Sequence, residues 1–255
     1  MNKNEILQAF DKQRWSLENN GIVVRELATD LTECRILAVN APTENFKNII
    51  ESEVKLARKS NYSLEWKTFD CDKNNDFLRE LLISSGFEQQ DSELVLCFDL
   101  NAIDSISKQA HKGHSEIKIV EFDSSNIKIG LKEMAEISFE IGRKNVEAES
   151  DRLLAEALHN PNSMSLFVAY CDSEPVSCAR THYIKNSIFA ELCGGRTKTT
   201  HRCRGYFSAL VYARMRAALL RKCHIALVDA LPTSEPILRK LGFEVLTGTR
   251  PFLLS

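Results

Sequence analysis

The sequence is poor in residues that break or loosen a fold, and it has no apolar run long enough to cross a membrane. Its 255 residues include only 10 glycines and 6 prolines, which excludes collagen-like and long low-complexity organisation. No uninterrupted apolar stretch approaches the roughly 20 residues of a membrane helix. Residues 1–15 alternate charged and apolar side chains, unlike a secretory signal. We therefore expect a cytoplasmic protein without a membrane partner.

Neither sign of charge dominates the chain. Lysine and arginine total 33 against 35 aspartates and glutamates, a formal net charge of −2. This balance lacks the excess of positive charge that is typical of nucleic-acid-binding proteins. Hydrophobic residues make up 44% of the chain, enough for a sizeable core and too many for a disordered protein. The length fits one or two domains.

The chain contains eight cysteines but no C-x-x-C pair. Most of them lie in apolar, strand-like runs such as 94–98, which predicts reduced, buried thiols rather than disulfides. A zinc site needs clustered ligands, and the nearest approach, Cys178 with His182, has no second pair, so no metal is expected. Neither Cys178 nor Cys193 has a His or Asp at a recognisable spacing, so no thiol nucleophile is predicted.

Hydrophobic periodicity predicts a mixed α/β chain in two halves, with a polar linker at 101–115. The predicted helices cover 3–19, 45–59, 76–85, 126–141, 151–159, 205–221 and 233–241. The predicted strands cover 22–24, 36–39, 64–69, 94–100, 116–121, 165–171, 175–183, 187–193, 224–228, 243–246 and 251–254. Each half has a strand ending in Asp, then a helix and Gly-Phe-Glu, at 64–88 and 224–244, which predicts an internal duplication.

One strand-to-helix junction, residues 193–211, carries most of the chemical information. The first N–H groups of the long helix have no partner within it, and the helix dipole favours an anion there. Arg202 and Arg204 add positive charge, and Gly205 permits a close backbone approach. The junction predicts a diphosphate site, although it is neither a P-loop nor a dinucleotide fingerprint. An ordinary capped helix with solvated arginines is the alternative.

Arg202-x-x-Gly205 at this junction, followed by a strand, a short helix and Gly242-Phe243, resembles the GNAT acetyltransferase superfamily. Residues 116–255 follow the element order of the family, and 64–100 resemble a partial second copy, as in tandem members. The resemblance implies a mixed, mostly antiparallel sheet flanked by helices. It also implies two domains: a degenerate GNAT-like domain at 1–102 and an acetyl-CoA-binding domain at 113–255.

The resemblance further implies a cofactor site. Thr197 would pair its backbone with the pantetheine arm, and Lys198, Arg202 or Arg204 could meet the remaining phosphate. The pyrophosphate would be held by the backbone N–H groups of Arg202, Cys203, Arg204, Gly205, Tyr206 and Phe207. Cys203 and Phe207 stand where the family often has a small residue. We expect the side chain of Phe207 to point into the core and that of Tyr206 to point outward.

Acetyl transfer to an amine needs a base, donors for the thioester carbonyl and an acid for the departing thiolate, but no metal. Glu191, in the strand before the loop, is the candidate base, because GNAT enzymes commonly place a carboxylate there; a solvent-facing side chain is the alternative. No tyrosine lies between Asp229 and Ser255, so Ser234 is the candidate acid, with an ordinary polar residue of a first helical turn as its alternative.

These residues predict an N-acyltransferase in which an amine attacks acetyl-CoA directly with general-base help. The expected acceptor is a small-molecule or peptide amine. The alternative function is a non-catalytic CoA-binding or regulatory module, which the missing tyrosine and Phe207 favour.

Overall fold

The computed structural model describes residues 1–106 and 117–254; part of the predicted linker at 101–115 therefore lies outside the described residues. The chain forms two compact units, Met1–Val95 with Val245–Ser255, and Leu96–Glu244. The last strand is thus grouped with the N-terminal half, whereas the predicted domains, 1–102 and 113–255, placed it with the C-terminal half. Within the described ranges no helix has the length and apolar character needed to span a bilayer.

The fold is mixed α/β with a mostly antiparallel sheet and flanking helices, which confirms the predicted fold class. The helices are α1 Lys3–Arg14, α2 Phe46–Ser60, α3 Asn75–Ser84, α4 Ile127–Glu140, α5 Val146–His159, α6 Tyr206–Leu220 and α7 Glu235–Lys240. The strands are β1 Glu18–Asn19, β2 Val23–Leu27, β3 Glu33–Val39, β4 Ser63–Phe69, β5 Phe87–Gln89, β6 Glu93–Asp99, β7 Lys118–Phe122, β8 Met164–Cys171, β9 Glu174–Tyr183, β10 Phe189–Thr197, β11 Ile225–Ala230 and β12 Glu244–Leu254. Short 3₁₀ turns cover Thr43–Asn45, Leu100–Ile106 and Thr199–His201.

The first unit has the strand order β1-β2-β3-β4-β12, with β5 also paired to β12. In the described part of this unit, β3 and β4 form the only parallel pair, and α2 connects them. The apolar face of α2 packs on this sheet, where Ile36, Ile50, Trp66, Leu82 and Phe252 are among the buried core residues. Burial of this apolar surface is the main source of stability in such a layer.

The second unit has the strand order β6-β11-β10-β9-β8-β7. Its helices cover two faces, as alternate side chains of one strand show. Leu166 belongs to a core cluster with α4 and α5, whereas Phe167 belongs to a cluster with α6. In β9, Cys178 lies on the α4/α5 face and Ala179 on the α6 face. Because side chains alternate along a strand, Arg180 and His182 share the face of Cys178.

The same order of elements occurs twice along the chain. In the first unit β3 leads through α2 to the parallel strand β4, and α3 and β5 follow. In the C-terminal half β10 leads through α6 to the parallel strand β11, and α7 and β12 follow. Both connecting helices have 15 residues. This repeated order is the structural counterpart of the duplication predicted from sequence.

Several predicted element boundaries were wrong. Helix α1 ends at Arg14 rather than at residue 19, because Glu18 and Asn19 pair with β2 as the strand β1. The two strands predicted at 243–246 and 251–254 are one strand, β12, which pairs with both β4 and β5. The last helix begins at Glu235 with Ser234 as its N-cap residue, not Thr233.

All eight cysteines lie in described ranges, and none of these forms a disulfide. Cys34, Cys97, Cys178 and Cys223 are buried, as expected of thiols that act as small hydrophobes. Cys71 and Cys203 are exposed, and Cys171 and Cys193 are partly exposed, so the prediction of buried thiols was correct for only half of them.

Candidate functional site

The parallel pair β10 and β11 separates part of the way along its length. The two strands pair at only three positions, from Phe189 with Ile225 to Glu191 with Leu227, although β10 continues to Thr197 and β11 to Ala230. Among the described residues, the part of β10 beyond Glu191 pairs with β9 alone, on its other side. The backbone groups on the β11 side of β10 therefore form a strand edge that can bind an extended ligand.

A β-bulge lies in β10 at this separation. Cys193 pairs with Arg180 and Arg196 pairs with Cys178, so three steps along β10 match two steps along β9. Gly194 within the bulge has φ +63°, and a Cβ there would lie 2.8 Å from the Nη1 atom of Arg180. Both the backbone conformation and the close guanidinium therefore require glycine at this position.

The loop after β10 leads into the N-terminus of α6. Cys203 adopts φ +59° and Gly205 adopts φ +81°, two left-handed residues that turn the chain into the helix. A non-glycine residue in this region is uncommon, so Cys203 holds a conformation that glycine would adopt without strain. Among described residues, the backbone N–H groups from Cys203 to Phe207 donate to no acceptor. These donors and the helix dipole together provide an anion site.

The side chains of this junction only partly follow the prediction. Arg202, Cys203 and Arg204 are exposed, which leaves two guanidinium groups at the helix N-terminus. Tyr206 was predicted to point outward, but it is buried, with its ring 6.1 Å from that of His201. Phe207 was predicted to point into the core, but it is half-buried, and its Cε2 atom lies 3.2 Å from where a Cβ of Gly195 would stand.

Tyr206 rather than Phe207 lies on the buried face of α6, because the helix buries side chains over a wider part of its circumference than predicted. That buried face includes Leu210, Arg214 and Ala217, whereas Leu220, which belongs to the predicted apolar stripe, is 79% exposed.

Lys198 has a different environment from the predicted phosphate contact. Its Nζ atom lies 2.9 Å from Glu136, 3.1 Å from Glu140 and 2.8 Å from Glu174. Burial lowers the pKa of this amine, but hydrogen bonds to the three carboxylates raise it well above the ordinary value. The positive charge of Lys198 is thus balanced by the three carboxylates. This ion-pair cluster replaces the predicted contact between Lys198 and a phosphate.

Thr197, the predicted pantetheine contact, is the last residue of β10. It pairs with Ser177 of β9, and the two hydroxyl oxygens are 2.7 Å apart. The hydroxyl is therefore directed to β9, and the predicted contact depends on the backbone of Thr197 alone.

A buried ion-pair network, which the sequence did not indicate, fixes the bulge to α5. Glu149 accepts hydrogen bonds from both terminal nitrogens of Arg196, at 3.0 and 2.8 Å, and from Arg180 at 2.8 Å. Arg196 also donates to the hydroxyl of Ser138 in α4 at 2.6 Å. Burial alone would raise the pKa of Glu149, but the two arginines lower it to about 2. The network couples the conformation of β10 to α4 and α5.

A second unpredicted group lies on the same face of the sheet. The imidazole of His182 has its Nδ1 atom 3.0 Å from Oε1 of Glu156 in α5. It is also a diagonal neighbour of Cys193 across the β9–β10 ladder, and the thiol of Cys193 donates to the carbonyl oxygen of Arg180 at 3.9 Å. Burial would raise the pKa of this thiol, but the positive charges of His182 and Arg180 lower it to about 6. No spacing in the sequence indicated His182 as a neighbour of Cys193. Residues 182 and 193 meet because β9 and β10 are antiparallel neighbours.

The two predicted catalytic residues have distinct positions. Glu191 is half-buried, directly opposite His182 across the β9–β10 ladder, and therefore on the α4/α5 face with the thiol of Cys193. It is also the last residue of β10 that pairs with β11. Ser234 is the N-cap residue of α7, and its hydroxyl donates to the carbonyl oxygen of Leu231 at 3.2 Å. Glu191 thus joins the unpredicted cluster.

Comparison with known proteins gives one family match and several related folds. Residues 131–243 match a family model described as the acetyltransferase (GNAT) family. A GCN5-related N-acetyltransferase from Kribbella flavida has a TM-score of 0.69 at 13% identity, over 98% of this chain and 94% of that one. A tandem GNAT protein from the clavulanic acid biosynthesis pathway has a TM-score of 0.65 at 12% identity, over 92% of this chain and 80% of that one. No curated protein matches the chain.

The matched range contains the bulge, the loop and the N-terminus of α6. At such low identities the solved structures show a shared fold, and the family model adds the match in sequence. Residues 131–243 therefore match the acetyltransferase (GNAT) family in sequence, and the chain as a whole shares the fold of these solved structures.

Proposed function

We propose that the second unit is an acetyl-CoA-dependent N-acetyltransferase that acts on a small-molecule or peptide amine. The observation that carries this proposal is the row of unused backbone N–H groups from Cys203 to Phe207, placed directly after a strand pair that separates. A diphosphate needs such donors, and an extended pantetheine arm needs a strand edge beside them.

The residues present fit the acyl donor. Arg202 and Arg204 are exposed at the α6 N-terminus and would meet phosphate oxygens, while the backbone of Thr197 would pair with the pantetheine arm. The ring of Phe207 against Gly195 narrows the space between α6 and β10. The donor would supply an activated thioester carbonyl beyond the bulge.

In the proposed reaction the amine attacks the thioester carbonyl directly. Glu191 would take the proton of the attacking amine, because an alkylammonium ion has no lone pair with which to attack. The α4/α5 face would then be the side from which the amine enters. Ser234 would donate a hydrogen bond to the departing thiolate after its hydroxyl turns away from the carbonyl oxygen of Leu231, to which it donates in the structure. The cytoplasmic location expected from the sequence stays a prediction.

We also propose that the first unit is a partial GNAT-like copy that binds no CoA. Its counterpart of the β10–α6 loop, residues 40–45, has no Arg-x-x-Gly and includes Pro42, which has no N–H to donate. This unit would keep the element order of the duplicated domain without its anion site.

Calorimetric titration with acetyl-CoA, followed by a CoA-release assay, tests the proposed function. The acceptor panel would contain primary alkylamines, polyamines, amino acids and lysine peptides. We expect saturable binding and release of CoA with at least one amine class. Binding without release across the panel would leave a non-catalytic CoA-binding module, and absence of binding would contradict both functions.

The Glu191→Gln variant separates catalysis from binding. Loss of the carboxylate removes the proton acceptor, and we expect kcat to fall about 10²-fold. The affinity for acetyl-CoA should stay unchanged, because Glu191 lies on the opposite sheet face from α6. Glu244→Gln, at an exposed position, is the matched control. A kcat within twofold of the unsubstituted enzyme would exclude Glu191 as the base.

A further inference from the structure

The thiol of Cys193 is part of a cluster that resembles an activated nucleophile rather than a packing residue. It is a diagonal neighbour of His182 on the same face of the β9–β10 ladder, and the imidazole of His182 lies 3.0 Å from Glu156. A nucleophile, a base beside it and a third group that orients the base constitute the arrangement required for covalent catalysis. The three residues come from β10, β9 and α5.

Electrostatics favour a thiolate at this position. Burial would raise the pKa of the Cys193 thiol, yet His182, Arg180 and Arg214 outweigh it and lower the pKa to about 6. The pKa of His182 is raised, against the effect of burial, by the thiol and by Glu156. The two groups titrate as a coupled pair whose ionised form is stabilised near neutral pH.

The neighbouring strand provides an internal comparison. Cys178 in β9 is completely buried in the α4/α5 core, and burial raises the pKa of its thiol to about 12. Cys193 is partly exposed, and the side chains of His182 and Glu156 remain 25% and 24% exposed. A small reagent can therefore reach the Cys193 cluster, whereas Cys178 is inert.

The position of the thiol connects it to acyl transfer. Cys193 lies two residues beyond the last pair between β10 and β11, at the start of the strand edge assigned to the acyl donor. Glu191, the proposed base, lies on the same face of β10. An acyl carbonyl near the bulge would thus face a thiolate as well as a carboxylate.

We propose that Cys193 is a second nucleophile of this site, which accepts an acyl group from a thioester and becomes an acyl-cysteine. The thiolate sulfur attacks the acyl carbonyl, a new C–S bond forms, and the C–S bond to CoA breaks. The CoA thiolate leaves with the proton of His182. An amine then attacks the acyl-cysteine, Glu191 or His182 takes its proton, and the thiolate of Cys193 returns. The inference rests on the proposed function for the donor, the amine acceptor and the role of Glu191, and it adds to the direct attack a second route through the acyl-cysteine.

The first experiment measures covalent labelling. The protein is incubated with acetyl-CoA without an amine, and intact mass with peptide mapping locates any acetyl group, while calorimetry on the same sample records binding. We expect a hydroxylamine-sensitive acetyl group on Cys193, absent from Cys193→Ala. The matched control is Cys71→Ala, an exposed cysteine whose thiol pKa is raised by desolvation. Binding of acetyl-CoA without this label overturns the proposal.

The second experiment removes the dependence on CoA. 4-Nitrophenyl acetate is an activated acyl donor that needs no diphosphate site, and we expect a stoichiometric burst of nitrophenolate at neutral pH. His182→Gln should slow the burst about 10²-fold, and Glu156→Gln should slow it about tenfold because it only positions the imidazole. A burst in a protein that binds no acetyl-CoA would contradict the proposed function while supporting the nucleophile. Absence of a burst from the unsubstituted protein overturns the nucleophile as well.

Discussion

The double variant Arg202→Glu with Gly205→Trp should lose measurable acetyl-CoA binding. The first change places a carboxylate where phosphate oxygens would lie, and the second places a bulky side chain at φ +81°, a conformation that L side chains rarely adopt. Hydrogen bonds to charged groups contribute about 1.5–3 kcal/mol each. Loss of two such contacts therefore weakens binding at least about 100-fold. Calorimetric titration of both proteins measures the difference.

A charge-matched control distinguishes the loop from the general loss of positive charge. Arg58→Glu changes the net charge by the same amount at an exposed position of α2 in the first unit. Its affinity should match that of the unsubstituted protein, and circular dichroism should show all three proteins folded. If the double variant keeps its affinity while folded, the N-terminus of α6 does not bind the diphosphate.

The elements that the sequence predicts well are those whose signal is local. The alternation in β9 and the apolar periodicity of α6 lie within one element, and the structure has both with bounds that shift by a few residues. Predictions failed where the structure of a segment depends on residues that are distant in the sequence. β12 runs unbroken through Pro251 because β4 and β5 both pair with it. Tyr206 rather than Phe207 is buried because the core extends around α6.

The residues of the candidate site also fall into those with a local sequence signal and those that depend on distant partners. Gly205 and Arg202 are recognisable because a left-handed residue and a positive charge at a helix start have local sequence signals. The proximity of His182 and Cys193 depends on the pairing of two antiparallel strands, and Glu156 joins from a helix 26 residues earlier than His182. Lys198 is similar: its carboxylate partners come from α4 and from the start of β9, which no spacing rule connects.

Removal of the Glu149 charge should produce the largest loss of stability among single substitutions at this site. Glu149→Gln leaves Arg180 and Arg196 without their carboxylate, and their side chains are only 12% and 3% exposed. Breaking a buried ion pair by removing one partner costs about 3–5 kcal/mol. We therefore expect the free energy of unfolding, measured in urea at pH 7, to fall by about 3 kcal/mol. Glu147→Gln, exposed in the first turn of the same helix, is the control.

At low pH the difference in unfolding free energy between the unsubstituted protein and Glu149→Gln should disappear. The pKa of Glu149 is about 2 in the folded chain, against an ordinary value of 4.5. A depressed pKa contributes stability that is complete above pH 4.5 and is lost as the pH falls through 2. The unsubstituted protein should therefore lose stability from pH 5 towards pH 2, whereas the Glu149→Gln variant lacks this contribution. A stability gap between the two that stays constant over this range would show that the carboxylate acts by packing and not by its charge. Because Arg196 belongs to the bulge of β10, a gap that closes with acid would show that the ionised carboxylate of Glu149 stabilises the folded chain through Arg180 and Arg196.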